Sequence, residues 1–215
     1  MDEILATMAA VAADPLGYAR QWKQETQGRV IGLFPMHFPG ELAHAAGALP
    51  VILQEDDEPV TVGQAQVFNF YCGYNRSIID QALRGEFEVL DAILFGDHCV
   101  QLLGTADVIR ASLPKMPILF NQLCSILDAE WAKAETTRTF SQLWKELEAL
   151  IGQPIQPEKV QASIRLFNRN RALIRQFYDL RRAGQIALTG RQMQDVVKSS
   201  MVMDRAQHTA LLEKL

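Results

Sequence analysis

Arg29-Val30-Ile31-Gly32-Leu33-Phe34, then Pro39-Gly40-Glu41-Leu42-Ala43-His44-Ala45-Ala46-Gly47-Ala48, then Val51-Ile52-Leu53, decides the fold. The first run is almost continuously apolar, as a strand buried on both faces of a parallel sheet reads. Pro35 ends it. Pro39 suits the first turn of the next helix, where an N–H would be unpaired in any case. Glu41 falls in the same turn, where the helix dipole favours a carboxylate. The closely spaced alanines make a helix slim enough to lie close on a sheet, and Gly47 stands near its end. Val51-Ile52-Leu53 is then a second strand.

Upstream, Ile4, Leu5, Met8 and Val11 form a helical stripe over residues 2–13. Asp14-Pro15 breaks it and opens a second helix from Tyr18 to about Glu25. Downstream, the acidic loop Glu55 to Glu58 closes at Pro59. A helix from Ser77 to Leu83 follows, with Ser77 as candidate cap and Gly85 as its stop. Leu90 to Phe95 is a third strand, residues 100–112 are a helix stopped by Pro114, and Pro117 to Phe120 is a fourth strand. Strands alternating with helices in this way imply right-handed crossovers and a parallel sheet. The expected class is therefore α/β, a parallel sheet with flanking helices of the Rossmann or flavodoxin-like kind, over residues 1–130. Beyond it the strand signal ends. Trp131 to Ile151 and Glu158 to Ala183 read as long amphipathic helices, and residues 191–200 and 204–215 as shorter ones, so 131–215 is expected to be a helical arm.

Composition excludes several function classes. The 215 residues carry a net charge of −4, which gives nucleic-acid binding no electrostatic support. No apolar stretch approaches the roughly 20 residues of a membrane span. Met1-Asp2-Glu3 puts acid where a signal peptide needs base, so the expected location is cytoplasmic. Neither Gly-x-Gly-x-x-Gly nor Gly-x-x-x-x-Gly-Lys occurs.

In parallel sheets, ligands collect beyond the carboxyl ends of the strands. His37, Cys99 and Asn121 all fall there. Cys72 stands in Asn69-Phe70-Tyr71-Cys72-Gly73-Tyr74-Asn75-Arg76-Ser77, and Cys99 in Leu94-Phe95-Gly96-Asp97-His98-Cys99. Thiolates favour iron or zinc. Neither cysteine belongs to a Cys-x-x-Cys pair, so the ordinary zinc knuckle is absent, although Cys72, His98 and Cys99 leave a mixed zinc site open. Cys124 in Leu123-Cys124-Ser125-Ile126 reads first as a small apolar core residue. His37, held between Pro35 and Pro39, is either a substrate-pointing residue or a turn histidine bonded to local backbone. His44 reads as a packing histidine and His208 as a solvated one. Arg165, Arg169, Arg171, Arg175, Arg181 and Arg182 enrich the long helix, either as a solvated face or as a contact for an anionic cofactor tail.

Residues 34–51 resemble the 2-hydroxyacyl-CoA dehydratase and benzoyl-CoA reductase family, through Pro35, Pro39, Glu41, Ala45, Gly47, Pro50 and Val51. Arg20-Gln21-Trp22-Lys23 resembles the smaller, C-type component of the reductases. Phe167 to Arg175, Tyr178 to Arg181 and Leu188-Thr189-Gly190 are similar to that family's helical arm. The resemblance implies a [4Fe–4S] cluster held by three cysteines. Cys72 and Cys99 take the first two places. The third belongs to a second α/β domain, which is expected to begin about where this chain ends, and Cys124 is the remaining candidate. It also implies a homologous second subunit, an ATP-dependent activator that supplies low-potential electrons, and an acyl-CoA substrate reduced at its thioester. His37 and Glu41 are the implied catalytic contacts. Two alternatives remain beside this expectation: a shortened, cluster-free homologue with a structural or assembly role, and a small zinc protein.

Overall fold

The computed structural model describes every residue except 36–38, 98 and 123. At its centre are parallel strands β1 (Val30–Leu33), β2 (Leu49–Ile52), β3 (Ala92–Gly96) and β4 (Ile118–Asn121), in the order β2-β1-β3-β4. The register sets Ile31 beside Pro50, Leu33 beside Leu94 and Gly96 beside Asn121. This is the flavodoxin-like order, with the switch of direction between β1 and β3.

The helices are α1 (Asp2–Ala13), α2 (Pro15–Thr26), α3 (Gly40–Ala45), α4 (Gly73–Leu83), α5 (Val100–Ser112), α6 (Ala132–Ile151), α7 (Pro157–Arg182), α8 (Gly190–Ser200) and α9 (Arg205–Lys214). Strand side chains alternate between two cores. Val30, Phe34 and Ile93 pack with Ile78 of α4 and Ile109 of α5, whereas Ile31, Leu33 and Leu94 pack with Leu42 of α3 and Leu143 of α6. Each such fully buried aliphatic or aromatic side chain contributes about 1.5–3 kcal/mol. Residues 131–215, expected as an arm, fold back on the rest. α6 closes one face of the sheet, and α7, α8 and α9 enclose Leu5 and Met8 of α1 in a third core.

Several boundaries differ from expectation, and at some of them the physical reason is visible. α2 starts at Pro15, because the Asp14 carboxylate accepts from the Gly17 N–H at 2.8 Å. β2 starts at Leu49 and contains Pro50, which is tolerated because β2 is an edge strand and needs ladder bonds on one side only. α4 starts at Gly73, so Ser77 lies inside it and caps nothing. Its hydroxyl instead donates to Asp56 Oδ1 at 3.0 Å.

The connection from β2 to α4 is tied down by Asp80, buried in α4. Asp80 Oδ1 accepts from the N–H groups of Thr61 and Gly63, each at 2.8 Å, and Oδ2 lies 3.2 Å from Arg84 Nε. Burial opposes the charge of this carboxylate. The Gly63 and Thr61 amides and the Arg84 guanidinium outweigh that and hold it below its usual value. A β-carbon at Gly63 would lie 3.0 Å from the Asp80 backbone nitrogen, so glycine is what allows the approach.

His208 is buried rather than solvated. Its Nδ1 meets Asn170 Nδ2 at 2.9 Å, and its Nε2 lies 3.2 Å from both Ser199 Oγ and the Val196 carbonyl. α9 buries His208 and Thr209 beside Leu212, and the network joins it to α7 and α8. Burial first, and then the neighbouring Arg205 charge, push His208 down to about 4.

Asp80→Ala leaves two N–H groups without an acceptor and should cost about 2–3 kcal/mol in urea unfolding. His208 is neutral in the fold, whereas an unfolded histidine titrates near 6.5. Its contribution is therefore complete above about pH 6.5 and is lost as pH falls toward 4, by about 2 kcal/mol at pH 5. His208→Gln should flatten that part of the stability profile relative to wild type.

Candidate functional site

The switch between β1 and β3 brings the segments leaving those strands to one rim of the sheet. Cys99 is the N-cap residue of α5 and Cys72 the N-cap residue of α4; these helices pack against each other. Neither thiol caps its own helix, so the positive ends of two helices open at the rim beside the two sulfurs, an arrangement that favours a negatively charged bound group.

Cys72 is exposed and Cys99 half-buried against the core. Asn75 Nδ2 donates to Cys72 Sγ at 3.3 Å, and Asn75 Oδ1 is buried with no partner among the described residues. Behind them Tyr74 donates its hydroxyl to the Leu53 carbonyl at 3.0 Å and sets its ring edge on Phe34, which stacks on Phe95 at 4.2 Å. Burial pushes the Tyr74 hydroxyl well above its usual range, so it stays neutral and structural.

Cys124 lies between β4 and α6, with its sulfur 3.7 Å from the Ala132 carbonyl. Among the described residues no three His, Cys, Asp or Glu side chains gather to hold a metal ion, so Cys72, Cys99 and Cys124 do not form a three-thiol site. The donor chemistry fits an iron–sulfur group in part: two soft thiols at neighbouring helix starts, beside a buried amide oxygen with unused capacity. It does not complete one. His37 and His98 lie outside the described residues.

Glu41 stands in the first turn of α3 and accepts from Arg171 Nη1 at 2.8 Å. That ion pair ties α3 to α7. His44 is the packing residue it reads as, with Nδ1 2.7 Å from Ser163 Oγ and its ring against Phe167. The arginine stripe of α7 is partly spent inside the chain: Arg169 pairs with Glu213, Arg171 with Glu41, Arg182 with Asp179, and Arg181 donates to the Leu188 carbonyl.

Sequence reading missed Asn75 and Gln101. Asn75 had a local signal, standing one helical turn after Cys72. Gln101 had none, because its partners come from another part of the chain. Reading the stretches separately also missed that apolar residues near each cysteine in sequence are exposed. Phe68 and Phe70, stacked at 5.4 Å, stand beside Cys72; Val100 follows Cys99; Ile126, Leu127 and Trp131 follow Cys124; all are exposed. Of these, the stacked pair Phe68 and Phe70 is a clustered exposure of the kind that marks an interaction surface. No helix among the described residues is long and apolar enough to cross a membrane.

Comparison with known proteins gives a consistent answer. The chain is 24% identical over 216 residues to the lactoyl-CoA dehydratase subunit beta of Anaerotignum propionicum, covering all of this chain and 57% of the relative. It is 25% identical over 198 residues to one of the subunits of the benzoyl-CoA reductase of Thauera aromatica, covering 91% of this chain and 51% of the relative. It is 23% identical over 207 residues to the (R)-2-hydroxyglutaryl-CoA dehydratase subunit beta of Acidaminococcus fermentans, covering 95% and 54%. The chain thus spans about half the length of the curated relatives it matches. The family model for the 2-hydroxyglutaryl-CoA dehydratase D-component matches residues 35–215, from the turn after β1 to the last residue of the sequence, and the chain belongs to that family.

Proposed function

We propose that this chain is a subunit, or part of one, of an acyl-CoA dehydratase or benzoyl-CoA-type reductase. In this reading the rim at the starts of α4 and α5 supplies Cys72 and Cys99 as two ligands of a [4Fe–4S] cluster. The observation that carries it is the placement of those two thiols at neighbouring helix N-termini beside the topological switch. Such a cluster, when bound, supplies one-electron transfer.

The chain's own residues would do the remaining work. Asn75 donates to the Cys72 sulfur, and hydrogen bonds of this kind to ligating sulfur tune a cluster's potential. The exposed aromatic and aliphatic rim would be covered by a homologous second subunit, and covering it would exclude water. His37 and Glu41 are the candidate contacts to the thioester of an acyl-CoA, with Arg171 fixing where the Glu41 carboxylate sits. Electrons would come from an ATP-dependent activator. Cys124 is the third ligand only if the segment between β4 and α6 moves its sulfur from the Ala132 carbonyl toward the other two.

A second reading, a cluster-free homologue with a structural or assembly role, is favoured by one observation: the described residues gather no third donor.

Anaerobic purification and reconstitution separate the two. The enzymatic reading expects brown protein with broad visible absorbance and about four iron atoms per cluster. Cys72→Ser and Cys99→Ser should each abolish most of that iron, and Cys124→Ser should do so only if Cys124 is a ligand. Colourless protein after reconstitution, alone and with an added homologous subunit, overturns the cluster reading.

A further inference from the structure

One face of α5 touches the Cys72 loop at two points one turn apart. At the first, the Gln101 side chain serves three partners. Its Oε1 accepts from the Cys72 N–H at 2.8 Å and from Asn75 Nδ2 at 3.4 Å, and its Nε2 donates to the Phe70 carbonyl at 3.4 Å. At the second, Tyr71 lies on the bare backbone at Gly104. A β-carbon there would stand 2.1 Å from the Tyr71 hydroxyl oxygen and 3.2 Å from the ring carbon that bears it. Gln101 and Gly104 are i and i+3 on a helix and therefore share a face. The N-cap residue of that helix is Cys99.

We propose that Gln101 and Gly104 are positioning residues that hold the Cys72 loop to the first turns of α5, so that the thiols of Cys72 and Cys99 act on one bound group. The inference rests on the reading of these cysteines as ligands of a common group. The chemistry favours a positioning role over ordinary packing. Cys72 lies in an exposed segment of short connections, and α4 holds its backbone on the carbonyl side only, where the Arg76 N–H donates at 3.2 Å. The Cys72 N–H is satisfied by Gln101, a side chain from another element, and not by a neighbour in sequence. The same amide oxygen also receives the Asn75 side chain that donates to the Cys72 sulfur. One side chain therefore sets both the backbone at Cys72 and the direction from which its sulfur is hydrogen-bonded. Gly104 completes the seat by leaving room for the residue just before Cys72.

The test uses the whole chain, free of metal and reduced, with a short bifunctional thiol reagent that fluoresces only when both ends have reacted. Wild type should give a Cys72–Cys99 bridge, located by peptide mapping and lost in Cys72→Ser. Gln101→Leu removes the hydrogen bonds and should cut the bridging rate about five-fold, as expected for about 1 kcal/mol of lost preference. Gln101→Glu keeps the acceptor for Cys72 and should retain most of the rate. Gly104→Ala should lower the rate as Gln101→Leu does, and adding Tyr71→Phe, which removes the clashing oxygen, should restore it. The single-thiol reactivity of Cys99 should stay at its wild-type value in every variant that folds.

No bridge in wild type, or equal bridging in wild type, Gln101→Leu and Gly104→Ala, overturns the proposal. Normal bridging in wild type that responds to these variants, with no iron taken up on reconstitution, leaves the positioning role standing and removes the cluster reading.

Discussion

The sheet is apolar on both faces, and the rest of the molecule follows from that. A strand such as Val30–Leu33 has no solvated side, so helices must cover both faces of the layer it joins, and only crossover connections place them there. The chain meets this demand with α2, α4 and α5 on one face and α3 and α6 on the other. The polar and sulfur-bearing residues are thereby excluded from the middle of the sheet and collect where strands give way to helices. The rim that carries Cys72 and Cys99 is a consequence of burying the centre.

The C-terminal helices serve the same constraint by a different route. α6 supplies Leu143 and Leu147 to the second core, and α7, α8 and α9 close a third core around α1. That third core is held in register by polar contacts: Asn170, Ser199 and Thr209 meet around His208, and Arg205 donates to Asn170 Oδ1 at 2.9 Å while lying over the Phe167 ring. Burial pulls the Arg205 guanidinium down to about 10 against the opposing pull of the Glu41 carboxylate, which leaves it charged at neutral pH. The network links α3 to the end of the chain, since Phe167 also touches His44.

Much of the architecture was legible along the chain because the period of the apolar residues carries it. The strand at Arg29 to Phe34, the helix at 100–112 and the long helices near 131–151 and 158–183 all stand within one or two residues of where periodicity puts them. Errors came where a residue's role is set by something distant. Ser77 looks like a cap in sequence, but the helix extends back to Gly73. The second strand reads as starting at Val51, but it begins at Leu49, and the edge position of β2 accommodates Pro50. His208 looks solvated among Gln207, Thr209 and Ala210, and is buried because α7 and α8 bring partners to it.

Sequence alone determined the α/β class, the parallel sheet, the helical C-terminal part, the family, and Cys72 and Cys99 as the residues to watch. These follow from local patterns: runs of apolar residues, their spacing, and a conspicuous block between two prolines. Tertiary structure alone decided the strand order, the two sulfurs' places at adjacent helix starts, the absence of a three-donor group among the described residues, and the seat that Gln101 and Gly104 make for the Cys72 loop. The reason is physical. A periodic pattern encodes which side of an element is buried, but a site is made where elements far apart in sequence meet, and only packing brings them together.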